Sequence, residues 1–296
     1  MKKTLEMPET AVKKERPEGS PAAWNRFMQD LGKRTYVMGV LNCTPDSFSD
    51  GGRFLAADAA FSHALKLAAD GADIIDIGGE STRPGSMPVS ADEELSRVIP
   101  VIRKLHGSLG VPISIDTSKA SVAREAIDNG ASIINDVTGL RGDREMAHVA
   151  AECGVPLIVM HMKGAPRVMQ VAPIYKDLFA EITESLKRSI DTARAAGVDE
   201  NNIIVDPGIG FGKTLAHNLL IIKELYRLKS LGRPIMIGLS RKSFIGEILN
   251  RAAEERLMGT ASAAAISISN GADILRVHDV RKLKEVSMVA DSICRA

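Results

Sequence analysis

Short apolar runs alternate with longer amphipathic segments from about residue 34 to the end of the chain. The runs are rich in Ile, Val and Leu, as are parallel strands that are covered on both faces. They predict eight strands, at Tyr36–Leu41, Asp73–Ile77, Ile113–Asp116, Ser132–Asp136, Leu157–Met160, Asn202–Val205, Pro234–Ile237 and Asp273–Val277. The segments between them repeat apolar residues at helical spacing, and Ser90 with Glu93 predicts a capping box at the start of one helix.

Glycine marks the boundary between each helical segment and the next strand. A nearly identical sequence, Gly-Ala-Asp-Ile or Gly-Ala-Ser-Ile, occurs three times at this place. The boundary glycines are Gly71, Gly110, Gly130, Gly154, Gly197, Gly232 and Gly271. Glycine suits the left-handed residue just past a helix end. Eight strand and helix units without a break in composition predict a single (β/α)8 TIM barrel of the α/β class. A doubly wound open sheet is the alternative, which short and similar repeats disfavour.

The first 33 residues lack this regularity. Residues 1–20 combine two prolines with many charged side chains, a composition that predicts a flexible tail. Residues 25–31 predict a short helical turn that caps the bottom of the barrel. We therefore divide the chain into an N-terminal extension, residues 1–33, and a barrel, residues 34–296.

The composition narrows the class of protein. Of the 296 residues, 45% are hydrophobic and 25% are charged, as in an ordinary globular protein with a large core. The net charge of +1 gives no electrostatic reason to expect nucleic acid or an acidic membrane surface as a partner. The three cysteines fit no metal spacing, and no apolar run suits a signal peptide or a membrane span. We therefore expect a cytoplasmic protein with reduced core thiols.

Polar side chains collect where the predicted strands end. In a (β/α)8 barrel the active site lies at the carboxyl ends of the strands. Acids and amides follow the third, fourth and sixth strands, cations follow the seventh and eighth, and an amide follows the first. These residues are Asn42, Asp116, Asn135, Asp206, Lys242, Arg276 and His278. Two polar, glycine-containing loops, 41–52 and 78–85, are long enough to close over a ligand.

The two kinds of side chain suit different parts of a ligand. Carboxylate and amide oxygens match the donor-rich edge of a planar heterocycle, whereas cations suit phosphate. A divalent ion bound through oxygen by Asn42 would complete a diphosphate site. Individual residues have simpler interpretations: Asp116 could cap the third helix, and Asp206, before a proline, could form a turn. His161 and His217 are typical of structural or surface histidines.

Two nucleotide-binding patterns fail on inspection. Gly212-Lys213-Thr214 resembles the end of a Walker A loop, but Pro207 stands where the first glycine is required. The segment from Gly208 to Gly212 is one residue short of GxGxxG, and the chain has no HExxH and no cysteine pair for zinc. The sequence therefore gives no support to a nucleoside triphosphate or a nicotinamide cofactor.

Seven blocks, in chain order, carry a family resemblance. They are TPDSFSDGG (44–52), GESTRPGS (79–86), SIDTSK (114–119), INDVTG (134–139), DPGIGFGKT (206–214), GLSRKSFIG (238–246) and RVHDV (276–280). Together they resemble dihydropteroate synthase, from about residue 34 to the end. That family joins p-aminobenzoate to a dihydropterin diphosphate in folate synthesis and releases diphosphate. The resemblance implies a homodimer that acts on these two small molecules and requires Mg2+.

The resemblance also implies roles for single residues, position by position. The implied pterin-binding residues are Asp116, Asn135, Asp206, Lys242 and Met160. The implied diphosphate neighbours are Asn42, Thr82, Arg276 and His278, with Asn42 as the Mg2+ ligand. The implied p-aminobenzoate pocket consists of Phe48, Ser49, Thr82, Arg83, Pro84, Phe211 and Ser243. The implied catalytic residues are Asp116, Lys242, Arg276 and Arg83. Cys43 stands where the family usually has valine, which is an apolar replacement.

The expected chemistry is a displacement of diphosphate from the pterin methylene carbon. An arylamine is already a nucleophile at neutral pH, so the site has to assist the leaving group, through Mg2+, Arg276 and His278. We expect a dissociative reaction under loops that order after the diphosphate binds. The alternative enzyme, a methyltetrahydrofolate corrinoid-protein methyltransferase, has no diphosphate to hold, so Arg276 and His278 argue against it. A non-catalytic pterin-binding protein would have lost a site residue, and none is missing.

Overall fold

Strands and helices alternate along the computed structural model, which describes residues 27–28, 30–44, 52–81, 86–164, 169 and 173–295, with the backbone alone at 52–56. The strands are β1 Tyr36–Asn42, β2 Ile74–Gly78, β3 Ile113–Asp116, β4 Ile133–Asp136, β5 Leu157–Met160, β6 Ile203–Asp206, β7 Met236–Gly238 and β8 Ile274–Val277. The α-helices are α1 Gly52–Ala69, α2 Ala91–Leu105, α3 Ala120–Asp128, α4 Met146–Cys153, α5 Leu178–Ala195, α6 Leu215–Lys223, α7 Ser243–Leu249, α8 Leu257–Ser269 and α9 Val280–Cys294. Short 3-10 helices span Glu200–Asn202, Leu225–Leu231 and Ala253–Glu255. All the predicted strands are present, with ends shifted by a residue or two.

The strands form one parallel sheet in the order β6-β5-β4-β3-β2-β1-β8-β7. A parallel bridge between Val205 and Ile235 joins its two edges, and Val205 N donates to Pro234 O at 2.9 Å. The described part of the chain is therefore a (β/α)8 barrel, as the sequence predicts, and the open-sheet alternative is wrong. Closure brings the carboxyl ends of all the strands around one central opening.

Successive residues of each strand face opposite sides of the sheet. Outward residues such as Ile75, Ile115 and Val205 pack under the helices in the larger hydrophobic core. The inward residues of the lower level form a second core inside the barrel. They are Tyr36, Met38, Ile74, Ile133, Ile158, Ile204, Met236 and Ile274. Phe27 joins this inner core, with its ring edge-on to Tyr36 at 4.9 Å between centroids.

Most of the boundary glycines adopt the left-handed conformation that the sequence predicts. Gly154, with φ 61°, caps α4. The others with positive φ are Gly71, Gly130, Gly197, Gly232 and Gly271. The prediction is wrong at Gly110, because α2 already ends at Leu105 and the chain turns at Gly107, which has φ 75°.

Two smaller predictions are confirmed only in part. Ser90 Oγ accepts from Glu93 N at 3.2 Å, but the Glu93 carboxylate pairs with Arg97, so only half of the capping box forms. Cys43 and Cys153 are buried, whereas Cys294 is exposed at the end of α9; the three residues, all within the described chain, form no disulfide. Among the described helices, none is both long and apolar enough to cross a membrane.

Candidate active site

The upper inward level of the barrel is mostly polar. It lies two residues further along the strands than the apolar lower level, because side chains alternate between the two faces. The residues at this level are Asp76, Asp116, Asn135, Met160, Asp206, Gly238 and Arg276. At Gly238 a Cβ atom would come no closer than 3.9 Å to Lys242 Nζ. The barrel mouth therefore combines buried charge with a glycine that adds no side chain, which suits a polar ligand.

Arg276 lies between two acids. Its Nε donates to Asp76 Oδ2 and its Nη2 donates to Asp116 Oδ2, both at 2.6 Å. Desolvation opposes the charged form of Arg276, but the two carboxylates raise its pKa above the usual value. Desolvation raises the pKa of Asp116 to about 7, against the effect of Arg276. The sequence suggested cations opposite the acids, whereas the structure places this cation among them.

Acceptor atoms without donors lie beside this arginine. Asn135 Nδ2 donates to Asp76 Oδ2 at 3.2 Å, so the amide orientation leaves Asn135 Oδ1 as an acceptor. Among the buried side chains that the structure describes, Asp76 Oδ1, Asp116 Oδ1 and Asn135 Oδ1 have no hydrogen-bond partner. Buried polar atoms in folded proteins are normally satisfied. This cluster is therefore suited to receive N–H groups from a ligand.

Asp206, at the end of β6, and Lys242, after β7, are close enough to interact electrostatically. Asp206 Oδ1 accepts from Gly208 N at 2.6 Å, so the turn-forming interpretation is correct for one of its oxygens. Desolvation raises the pKa of Asp206, and Lys242 opposes this shift. Desolvation lowers the pKa of Lys242 to about 8, and Asp206 opposes this shift in turn. Lys242 is therefore a cation that loses its proton more easily than an ordinary lysine does. The neighbouring Asp206 favours its charged form.

An apolar wall lies beside these charges. Val137, Met160, Met162 and Met169 form a small cluster of their own, and Phe211 packs against it. The Phe211 ring also receives Lys242 Nζ, which lies 4.5 Å from the ring centroid. Polarizable methionines next to an aromatic ring suit the face of a planar ligand.

The predicted phosphate-side residues lie on neighbouring strands. His278, after β8, contacts Ser240 Oγ through its backbone N at 3.2 Å and through Nδ1 at 3.0 Å. Asn42 is half-buried at the end of β1, the strand that pairs with β8. Ser243, which was predicted for the p-aminobenzoate pocket, is exposed at the first position of α7. Ser240 thus holds the His278 imidazole at the mouth of the barrel.

The donor set fits Mg2+ only together with a ligand. No group of three or more His, Cys, Asp or Glu side chains that could hold a metal occurs among the described residues. The amide oxygen of Asn42 is a hard donor of the kind that Mg2+ accepts, and Mg2+ commonly keeps few protein ligands and takes the rest from phosphate and water. Asn42 therefore suits a Mg2+ ion that arrives with a diphosphate.

Several predicted residues cannot be placed in this geometry. Phe48, Ser49, Thr82, Arg83 and Pro84 lie outside the described residues. Their proposed contacts with p-aminobenzoate and diphosphate stay predictions, as does the closure of the two loops that carry them.

Comparison with known proteins identifies the family. The model of the family described as pterin binding enzyme matches residues 38–278. The dihydropteroate synthase of Bacillus subtilis is 50% identical over 261 residues, which cover 88% of this chain and 89% of that protein. The chain belongs to the dihydropteroate synthase family. The relative from Synechocystis sp. is 48% identical over 276 residues, which cover 93% of this chain and 96% of that protein.

The fold agrees with the same family. The crystal structure of the dihydropteroate synthase from Clostridium difficile, in the presence of pteroic acid, superposes with a TM-score of 0.86 at 47% identity. The match covers 90% of this chain and 99% of that one. The dihydropteroate synthases are transferases of folate synthesis, so the family that the sequence motifs indicate is confirmed. The roles of the single residues stay predictions.

One buried acid of the site, Asp76, lies outside the sequence blocks that resemble the dihydropteroate synthase family. Asp76 lies in the middle of β2, in the run Ile74-Ile75-Asp76-Ile77, and is fully buried. The sequence did contain a signal for this residue: a charged side chain inside an apolar strand indicates a buried acid, and a buried acid requires a partner. Its partners, Arg276 and Asn135, come from distant parts of the chain.

The structure also decides between the alternative roles of Asp116, His217 and His161. Asp116 does not cap α3, which begins at Ala120 with Lys119 as its N-cap, so that alternative is wrong. His217 forms a capping box with Thr214 at the start of α6, which is a structural role. His161 is buried against Lys213, with Nζ and Nδ1 2.9 Å apart, and is likewise structural.

Proposed function

We propose that the protein condenses 6-hydroxymethyl-7,8-dihydropterin diphosphate with p-aminobenzoate, giving 7,8-dihydropteroate and diphosphate. The observation that carries the proposal is the group of partnerless acceptors on Asp76, Asp116 and Asn135 at the barrel mouth. The pterin ring offers the N–H and NH2 donors that these atoms lack. The Clostridium difficile relative, studied with pteroic acid, supports the same class of ligand.

The inward residues would hold the pterin from three sides. Asn135 Oδ1 and the free oxygen of Asp116 accept from its donors on one side, and Asp206 accepts on the other, beside Lys242. Met160 covers a face of the ring, and Phe211, which packs against the same cluster, borders the ring on the side proposed for p-aminobenzoate. Because each acceptor is buried, a ligand that lacked the matching donor would leave it unsatisfied, at a cost of about 1–3 kcal/mol for each group. The site therefore selects for the pterin.

The cations would assist the departure of diphosphate. Arg276 carries a permanent charge among the acids, and His278 is oriented by Ser240 on the adjacent strand end. Mg2+ bound by Asn42 and the diphosphate would supply further neutralisation of charge on the leaving oxygens. Preorganised charges of this kind are usually the largest contribution to such transfers.

The acids would stabilise the positive charge that develops on the methylene carbon of the pterin. Asp76 and Asp116 are buried, so their field on the ring is weakly screened. The aromatic amine of p-aminobenzoate is uncharged at neutral pH, so it attacks without prior deprotonation, and the proton that its nitrogen then loses passes to solvent or to the released diphosphate. We therefore infer a dissociative order, in which the bond to diphosphate breaks before the bond to nitrogen is complete.

The direct test is the reaction itself. We expect the purified protein to form dihydropteroate from the two substrates and Mg2+, and to lose most of this activity when EDTA replaces Mg2+. Product is measured by chromatography and diphosphate by a coupled assay. Binding of both substrates without product would overturn the proposal, and full activity in EDTA would overturn the part assigned to Mg2+.

We also propose a cytoplasmic homodimer. The three cysteines are odd in number and far apart in the sequence, which is typical of a protein from a reducing compartment. Large hydrophobic side chains are exposed on α6, α7 and α8, which pack against one another, and they include Leu219, Ile248, Met258 and Ile266. We expect sedimentation to show a dimer that Met258→Asp weakens, whereas Met288→Asp on α9 leaves it intact. A wild-type monomer at micromolar concentration would contradict this proposal.

A further inference from the structure

Lys213 belongs to the segment that resembles a Walker A loop, yet it binds no nucleotide in the proposed function. It is only 3% exposed and lies just after the β6 loop, Pro207–Gly212. Its Nζ lies 2.9 Å from His161 Nδ1, 3.1 Å from Phe211 O and 3.5 Å from His161 O. Three acceptors therefore surround the Lys213 amine. Burial lowers the pKa of Lys213 well below its usual value, but the amine keeps N–H donors for these acceptors in either protonation state.

The surroundings determine which nitrogen of His161 carries the proton. The ring hydrogen-bonds the backbone of Pro207, which offers a carbonyl and has no N–H. The other nitrogen, Nδ1, therefore accepts from Lys213. Desolvation lowers the pKa of His161 to about 2, and Lys213 lowers it further, so the ring stays neutral. Lys213 and His161 thus tie the end of β5 to the β6 loop through a buried contact.

The β6 loop is held in place along its whole length. Lys242 donates to Ile209 O, Gly210 N donates to Asn218 Oδ1 at 2.8 Å, and the Tyr175 hydroxyl donates to Gly212 O at 2.9 Å. The β5 segment packs so closely that a Cβ at Gly208 would lie 2.0 Å from His161 O. The Phe211 ring receives Lys242 Nζ, and the Phe211 backbone carbonyl accepts from Lys213 Nζ.

We propose that Lys213 is a positioning residue for the p-aminobenzoate pocket, because its bond to the Phe211 carbonyl and to His161 holds the Phe211 ring beside Lys242. This inference rests on the proposed function. Phe211 packs against the methionine cluster on one side and receives Lys242 on the other, so a shift of its backbone would change the wall of the pocket. Lys213 itself is buried below the loop and acts through Phe211.

The test is Lys213→Met, which keeps the length of the side chain and removes its donors. We expect the KM for p-aminobenzoate to rise about tenfold or more, a loss of about 1.4 kcal/mol or more in binding. The KM for the pterin diphosphate should stay within about threefold, since two of its three proposed acceptors, on Asp116 and Asn135, lie on other strands. Lys223→Met, at an exposed site on α6, is the matched control and should leave both values unchanged.

A double-mutant cycle separates positioning from general destabilisation. If Lys213 acts through Phe211, Lys213→Met should add little to the KM for p-aminobenzoate in a Phe211→Leu background. The inference would be overturned if the effects of the two substitutions on the KM for p-aminobenzoate were fully additive. It would also be overturned if Lys213→Met raised the KM for p-aminobenzoate and the KM for the pterin diphosphate equally. An inactive wild-type enzyme would instead overturn the proposed function, so the two failures can be told apart.

A second pair of variants keeps the test informative if Lys213→Met does not fold. His161→Asn retains an acceptor close to the position of Nδ1, whereas His161→Leu removes it at similar volume. We expect the KM for p-aminobenzoate to stay near the wild-type value in the first and to rise in the second. Equal KM values in these two variants would contradict the proposed contact.

Discussion

Replacing Arg276 with alanine lowers kcat by about a hundred- to a thousandfold, the usual cost of removing one preorganised group that stabilises developing charge. The release of diphosphate in a single turnover should slow by the same factor, because the guanidinium is proposed to assist the leaving group. The variant also loses about 3 kcal/mol of unfolding free energy, since Asp76 and Asp116 are left as buried carboxylates without their shared counter-ion.

The stability loss at Arg276 should depend on pH in a definite direction. Arg276 lowers the pKa of Asp116, so its removal raises that pKa above the wild-type value of about 7. A carboxyl whose pKa is raised in the folded state binds more protons there than in the unfolded chain, and stability then falls as pH rises through the raised pKa. Urea unfolding should therefore show a larger deficit at pH 8.5 than at pH 6.

Two further variants make the Arg276 experiment specific. Arg276→Lys keeps the charge but cannot bond both acids, so we expect partial recovery of kcat. Arg233→Ala removes an arginine at the opposite end of β7, where its partner is Glu200, and should leave kcat unchanged. If Arg276→Ala retained kcat and diphosphate release within about threefold of wild type, the leaving-group role would be wrong.

Replacing Asp206 with asparagine weakens the binding of the pterin diphosphate by about a hundred- to a thousandfold, as expected when a charged acceptor is replaced by a mispaired amide. Isothermal titration calorimetry without p-aminobenzoate measures this directly. The variant should also lose activity at a lower pH than wild type. Asp206 raises the pKa of Lys242, which is about 8, so its removal lets Lys242 deprotonate earlier as the pH rises.

The matched control for Asp206 lies on the same strand unit. Asp199→Asn changes an exposed acid that caps the 3-10 helix before β6, at the other end of the barrel. It should leave the affinity for the pterin diphosphate unchanged. An unaltered affinity in Asp206→Asn as well would mean that Asp206 serves only the turn at Gly208.

Much of the barrel could be predicted because its signals are local. Apolar runs, helical spacing and the boundary glycines act over a few residues, and the strands they predict agree with the structure to within a residue or two. Gly110 is the one boundary glycine whose conformation was predicted wrongly, because residue type alone does not give the position of a helix end. A helix end depends on where its last hydrogen bonds form, and α2 stops before the apolar pattern does.

Part of the site could be predicted for the same reason. Asp116, Asn135, Asp206 and Lys242 stand in conspicuous blocks at strand ends, where a barrel places its active site. Asp76 and Lys213 escaped prediction, the first inside an apolar strand and the second inside a failed nucleotide pattern. Each is recognisable only from its partners.

The strands, the helices and the family could be inferred from residues that are neighbours in the chain, because periodicity, turn residues and motifs are local. Which of those residues come into contact depends on how the barrel closes. Arg276 reaches Asp76 and Asp116 across 200 and 160 residues of chain, through closure of the sheet between β1 and β8 and between β6 and β7. A charge pattern along the chain cannot show that pairing, since it depends on which face of each strand turns inward when the barrel closes.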